Sequence, residues 1–264
     1  MLRPRIIPCL LVRNKGLVKT VNFGPSKYVG DPINAVKIFN EKEADELIVL
    51  DIEATANGDA PDFLMIQKLA AECRMPLCYG GGVTTVEQAK RIISLGVEKV
   101  AISAAAFADP NLINAIATEV GSQSVVVVLD VKKSLLGKYE VYTHNGQKST
   151  GRSPFEVAQQ AEKLGAGEIV INSIDNDGKM KGYDLDLAVK VREAIRLPMS
   201  VLGGAGSLAD IGRLVSVCGV VGAAAGSMFV FKGSYRAVLI NYPDQAQKEE
   251  IVRLAMNQRL ILSK

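Results

Sequence analysis

The sequence has no tryptophan, one histidine and four cysteines in 264 residues. Cys9, Cys73, Cys78 and Cys218 show no C-x-x-C spacing and sit inside apolar segments, a pattern of reduced, buried thiols rather than disulfides or zinc ligands. The lone histidine, His144, falls in the Gly-containing turn YTHNG, where solvation is the expected state, so neither a metal nor a cofactor is expected. No charge of one sign gathers into a run. The net charge is +3, with basic residues scattered among acids, and nothing calls for nucleic acid or a membrane surface, although small acidic ligands remain compatible. Long apolar runs are missing too. The first, IIPCLLV, is interrupted by Pro8 and lacks a small-residue cleavage site before Arg13 and Lys15. No segment approaches the ~20 apolar residues of a membrane span. The opening run reads as a first strand, and the cytoplasm is the expected compartment.

What is present is alternation. Short apolar or β-branched runs recur at IIPCLLV (6–12), ELIVLDI (46–52), PLCYGGG (76–82), KVAIS (99–103), VVVVLDV (125–131), EIVINSI (168–174), MSVLGG (199–204) and VVGAAAG (220–226). Helical patterns separate them, among them DPINAVKIFNEKEAD, TTVEQAKRIISLG and SLADIGRLVSVCG, with GSYRAVLINY following the eighth run. Capping chemistry marks several starts, as at Ser153-Pro154 with Glu156 and at Asp109-Pro110. Eight βα units without a linker or composition shift fit a single (β/α)8 TIM barrel over 1–264 better than an open doubly wound sheet. PLCYGGG and PMSVLGG align at an offset of 122, which also carries Phe107 to Phe229, so the barrel reads as two half-barrels. At nearly the same offset Leu11 matches Asp130.

In this architecture the active face lies at the strand C-termini. Gly81-Gly82 with Ser103, and Gly203-Gly204 with Gly226-Ser227, are two glycine-rich pairs whose backbone N–H groups can approach an anion; their duplication points to a ligand with a phosphate at each end. Asp130 closes a strongly apolar run and is a candidate general acid or base, though it could equally accept loop N–H bonds. Asp51 is similar, and Asp175 and Asp177 in SIDNDG could be turn formers. At the opposite face four runs begin with a charge, Arg5, Glu46, Lys99 and Glu168. Pointing inward, these must pair, as a salt-bridged plug or as a gate.

RIIPCLLV, VKTVNF, ADELIVLDI, GGGV, GSQSVVVVLDV, YTHNGQKSTG, SIDNDG, GYDLDL and GGAGS, in that order, resemble the cyclase subunit of imidazole glycerol phosphate synthase along nearly the whole chain. The resemblance implies a glutaminase docked on the barrel bottom, ammonia carried through the barrel, and cyclisation of a bis-phosphorylated ribulosyl nucleotide at the top. It implies that Arg5, Glu46, Lys99 and Glu168 form an ammonia gate, and that Lys19, Asn22, Asp51, Asp177 and Gly178 join the glycine pairs in binding the phosphate-bearing ligand. The family's catalytic aspartate pair falls on positions 11 and 130, and only Asp130 is present. Ser103-Ala104 replaces an Asn-Thr and Leu202 replaces a Ser near the phosphates. The likeness is strongest to second-copy proteins of bacterial surface-polysaccharide clusters, in LLVRNKGLVKTVNF, LAAECRMPLCYGGG, VVVVLDVKK and INSIDNDG. That branch implies an ATP-dependent sugar amidotransferase as a further partner and acetamidino-sugar formation as the outcome. A histidine-pathway cyclase and a structural activator of the glutaminase are the competing expectations.

Overall fold

A computed structural model describes residues 3–233 and 235–262. Eight parallel strands close into a barrel: β1 (Arg5–Arg13), β2 (Leu47–Asp51), β3 (Leu77–Gly80), β4 (Lys99–Ile102), β5 (Val125–Lys133), β6 (Glu168–Ser173), β7 (Met199–Leu202) and β8 (Gly222–Ala225). Each pairs with its neighbour in sequence, and β8 closes on β1 with Arg5 opposite Gly222. The expected barrel is what the chain forms.

Period-two alternation divides the strand residues between two cores. One set, including Leu10, Val49, Val127, Leu129, Ile169 and Ile171, packs outward against the helices. The other points to the barrel axis: Ile7, Cys9, Ile48, Cys78, Ala101, Val126, Val128, Val170, Leu202 and Ala224, with Leu11 and Leu50 packed against it. The lumen is therefore apolar for most of its height.

Helix boundaries follow from caps. Asp31 accepts from Asn34 N with Pro32 opening the helix Pro32–Glu41; Thr85 with Gln88 and Ser207 with Asp210 make reciprocal capping boxes. Ser153 caps Pro154–Lys163 through Phe155 N instead of a box with Glu156. At Asp109-Pro110 the helix starts one residue later than expected, at Asn111, whose N–H is held by Asp109 Oδ1 at 3.0 Å. The described residues of GSYRAVLINY are not helical; Ser234 lies outside the described residues. Phe231–Lys232 and Ala237–Val238 form a small antiparallel ladder, turning at Gly233 and Arg236, both with positive φ. The last helix, Gln245–Leu262, starts only after Pro243, where Asp244 Oδ1 accepts from Gln247 N.

Two excursions shape the upper face. After β1, Gly16–Lys19 and Lys27–Gly30 fold back as a hairpin. Beyond β5, Tyr139–Thr143 pairs antiparallel with its last residues, Asp130 opposite Tyr142. The following turn reaches across the barrel mouth, where Asn145 Nδ2 donates to Ile52 O beyond β2.

Candidate functional site

The strand C-termini and these loops enclose a cavity of about 610 Å³. Leu11, Lys19, Asp51, Gly81, Gly82, Ser103, Asp130, Asp177, Gly178, Gly203, Gly204, Gly226 and Ser227 all line it. Asn22 does not: its side-chain amide donates to Ile174 O (3.0 Å) and Asp175 O (2.9 Å), pinning the first loop to the loop after β6. Asp175 is likewise occupied, accepting from Lys133 N at 2.7 Å.

Leu11 and Asp130 both face the cavity from equivalent inward positions, and only one can exchange a proton. Burial pushes the Asp130 carboxyl up to about 7, opposed by a 2.9 Å hydrogen bond from Asn172 Nδ2 and reinforced by the negative charge of Asp177. A carboxyl near neutrality can serve as acid or base.

Lys19 is buried, with Nζ donating to Cys9 O at 2.7 Å. Burial lowers its pKa, with Asp177 acting in the opposite direction. A Cβ at position 226 would overlap Nζ, so with glycine there the amine lies directly against the backbone that follows β8. Asp177 is raised by burial and is engaged with Thr20 Oγ1 (2.8 Å) and Phe23 N (3.3 Å), which fastens the first loop. Asp51, also raised by burial, accepts from the N–H groups of Glu53 and Ala54 through Oδ1.

The two anion-type ends repeat across the barrel. Gly81 (φ +124) and Gly203 (φ +94) occupy matching positions, and a Cβ there would approach Asp51 O to 2.5 Å and Ser173 O to 2.6 Å respectively. Short helices, Ala104–Ala108 and Ser227–Val230, follow β4 and β8 alike. The Ser103 Oγ is buried without a protein partner.

At the strand N-termini the four charges form a closed ring. Arg5 pairs with Glu46 and, at 2.8 Å, with Glu168; Lys99 pairs with Glu46 at 2.7 Å and Glu168 at 2.8 Å. Ser200 Oγ donates to Glu168 at 2.5 Å. Burial alone would raise Glu168, but the charges of Arg5 and Lys99, with their hydrogen bonds, outweigh it and bring the carboxyl to about 2. The Arg5 and Lys99 side chains stay 27% and 17% exposed, so water reaches the ring from below.

Three contributors escaped the sequence reading. Asn172 is buried, lines the cavity and holds Asp130; its signal was its inward parity with Glu168 and Val170. Thr20 lines the cavity and secures Asp177. His144, expected in solvent, is instead half-buried on the cavity wall with Nδ1 3.0 Å from Thr143 Oγ1, because the turn folds over the barrel mouth.

Residues 5–236 match the histidine biosynthesis protein family. The chain belongs to that family. A Vibrio vulnificus protein named "Putative imidazole glycerol phosphate synthase subunit hisF3" is 58% identical over 96% of this chain and 98% of its own length. A Pseudomonas aeruginosa protein named "Putative imidazole glycerol phosphate synthase subunit hisF2" is 52% identical, covering 92% and 97%. An Alkaliphilus metalliredigens protein named imidazole glycerol phosphate synthase subunit HisF is 40% identical, covering 80% and 83%. Within the histidine biosynthesis family this chain is thus of the HisF type. Among the described residues no helix is long and apolar enough to cross a membrane.

Proposed function

We propose that this HisF-type chain is the synthase subunit of a glutamine-dependent amidotransferase complex. A glutaminase docks on the barrel bottom, ammonia enters at Arg5, Glu46, Lys99 and Glu168, and the apolar lumen carries it to the upper cavity. There it serves acetamidino-sugar formation in bacterial surface-polysaccharide (O-antigen) synthesis, with an ATP-dependent sugar amidotransferase as partner. The observation that carries this reading is a contrast between the two ends of the barrel. The charge ring and the apolar lumen are complete, while the upper cavity has Leu11 opposite Asp130. Neutral ammonia suits such a lumen, whereas ammonium would lose its hydration there. Loss of one acid–base group typically removes 10² to 10⁴ in rate, on the order of what would silence cyclisation while binding persists. The two glycine-rich ends and Lys19 support a phosphate-bearing small molecule in the cavity.

The Asp130 carboxyl, poised near neutrality, favours one second reading, a histidine-pathway cyclase working with a single acid. The deciding assay supplies the purified chain with the formimino ribulosyl nucleotide and excess ammonium salt at alkaline pH, without a glutaminase and beside an active cyclase. No conversion is expected; rapid conversion would replace the proposed reading with the cyclase. In the complex, Lys99→Ala should uncouple glutamine hydrolysis from product, whereas unchanged coupling would reduce the barrel to an activator of the glutaminase.

A further inference from the structure

Basic residues scattered along the chain are gathered by the barrel. The loops after β2, β3 and β4 carry Glu53, Asp59, Asp62 and Asp109 and no lysine or arginine. The ends of β1, β5, β6 and β8 and the loops beyond them carry the exposed Lys27, Lys132, Lys133, Lys138, Lys179 and Lys181. These four loops touch one another. Asp175 accepts from Lys133 N, Asn22 donates to Asp175 O, Arg236 Nη2 donates to Gly178 O, and Lys27 Nζ lies 5.9 Å from the centre of the Phe231 ring. Their carboxylates Glu140, Asp175, Asp177 and Asp184 each accept hydrogen bonds from protein groups. One side of the upper face is therefore basic. It also carries an apolar tip. β5 runs on past Asp130 into a hairpin whose turn, 134–137, is closed by Gly137 N to Ser134 O at 2.9 Å and Ser134 N to Lys138 O at 2.8 Å. At roughly 3.3 Å per residue this turn stands about 15 Å along the strand from Asp130. Its two central residues are Leu135 and Leu136, both fully exposed, where turns favour Gly, Pro, Asn, Asp or Ser. Tyr28 and Tyr235, in the loops after β1 and β8, are exposed as well.

We propose that this side of the upper face docks on an anionic lipid bilayer, with Leu135 and Leu136 entering the interfacial layer and the lysines meeting lipid phosphates. Composition separates this occupant from a protein. Protein interfaces have a contiguous apolar core depleted in lysine, whereas here the apolar side chains stand on separate loops and lysine supplies most of the charge. Lysine, leucine and tyrosine are the side chains that suit a headgroup layer. Lysine stems cover apolar surface while the ammonium stays with the phosphates, and tyrosine settles at headgroup depth. A fluid bilayer accepts separate tips without a matching pocket. Docked in this way, the cavity mouth lies on the bilayer side and the charge ring at the other end faces water. The inference depends on neither the conduit nor the cyclase reading.

The test sediments the full chain with vesicles of phosphatidylcholine alone and of phosphatidylcholine with about a third phosphatidylglycerol, at low and at near-physiological salt. Binding is expected to the anionic vesicles only, and to weaken as salt rises. Leu135→Ser with Leu136→Ser, both outside the core, should weaken it at least about tenfold. Lys132→Gln, Lys133→Gln and Lys138→Gln together should weaken it on the order of a hundredfold, whereas the same charge loss on outer helices, Lys42→Gln, Lys68→Gln and Lys163→Gln, should leave it within about twofold. Because the chain has no tryptophan, Leu136→Trp supplies a single reporter, whose emission should shift to the blue on anionic vesicles. Equal binding to neutral vesicles, binding indifferent to the leucines, or an unshifted tryptophan overturns the proposal. Absence of binding to either vesicle overturns it too, and would leave the leucine tip to an acidic protein surface.

Discussion

Leu11 and Asp130 show how much one side chain decides when two positions share a geometry. Both face the same cavity from inward positions on the barrel wall, yet one is inert and the other carries a carboxyl raised to about 7 by burial. The folded state therefore holds a proton on Asp130 that the unfolded chain releases near the ordinary carboxylate value of about 4. Between those values the unfolded chain binds fewer protons, so this group lowers stability as pH rises from about 4 to about 7. Asp130→Asn should stabilise the fold above neutrality by about 1–3 kcal/mol and leave acid stability nearly unchanged, read as unfolding midpoints across pH. If Asp130 takes part in turnover as a base, rates should climb through about pH 7 in the parent and fall 10² to 10⁴-fold, roughly, in the variant. Ser103 offers a second test. Its buried hydroxyl has no partner, so Ser103→Ala should leave stability unchanged or raise it by up to about 1 kcal/mol. The same change should weaken a bis-phosphate ligand several-fold by calorimetry if this end of the cavity holds a phosphate.

The C-terminal helix Gln245–Leu262 is bound into the barrel by charge as well as by packing. Lys248 Nζ donates to Asp45 Oδ1 and to Glu43 O, both at 2.9 Å, and Asp45 Oδ2 accepts from Ile6 N. Tyr242, just before the helix, donates to Ile6 O at 2.8 Å and accepts from Asp45 N. Asp45 adjoins Glu46 in the chain and Ile6 adjoins Arg5, so these bonds fix the backbone on which two members of the charge ring are mounted. Lys248→Met would leave the partly buried Asp45 without its cation and should cost about 1–3 kcal/mol in urea unfolding. It should also loosen the ring, visible as faster hydrogen exchange at Ile6 and Leu47. The turn after Tyr139–Thr143 has the opposite character. His144 and Asn145 both hold left-handed backbone, and one side-chain bond to Ile52 O helps to tie them across the cavity mouth.

At the scale of the molecule, the ring links β1, β4 and β6 directly and draws in Glu46, which precedes β2, so its protonation is a property of the whole barrel. Glu168 is held near 2, below the ordinary glutamate value of 4.5, and so contributes stability that is fully present above about 4.5 and lost as pH falls toward 2. Glu168→Gln should abolish that acid limb of the unfolding profile. It should also cost about 3–5 kcal/mol near neutrality, because Arg5 and Lys99 would share one remaining carboxylate, Glu46. An unchanged acid profile would mean that the ring does not bear on stability.

Much of this organisation was legible from local pattern. Period-two alternation told which strand residues face the axis, which is why Arg5, Lys99, Glu168, Leu11 and Asp130 could be placed on a common interior without coordinates, and the eight βα units named the barrel. The half-barrel offset paired Gly81 with Gly203 for the same reason: both halves solve one backbone problem. What the sequence could not show is which polar atoms meet. Lys248 and Asp45 lie 203 positions apart, and Asn172 and Asp130 lie 42 apart. No short-range signature marks such pairs. Lys19 Nζ lies against Gly226, 207 positions away in the chain, and the inward turn of His144 depends on a hairpin crossing the barrel mouth. Composition and spacing determined which face each residue occupies, because alternation is a property of neighbouring backbone units. Closure of the barrel alone decided which residues share an environment, because desolvation and hydrogen bonding act through space between segments that the chain order keeps apart.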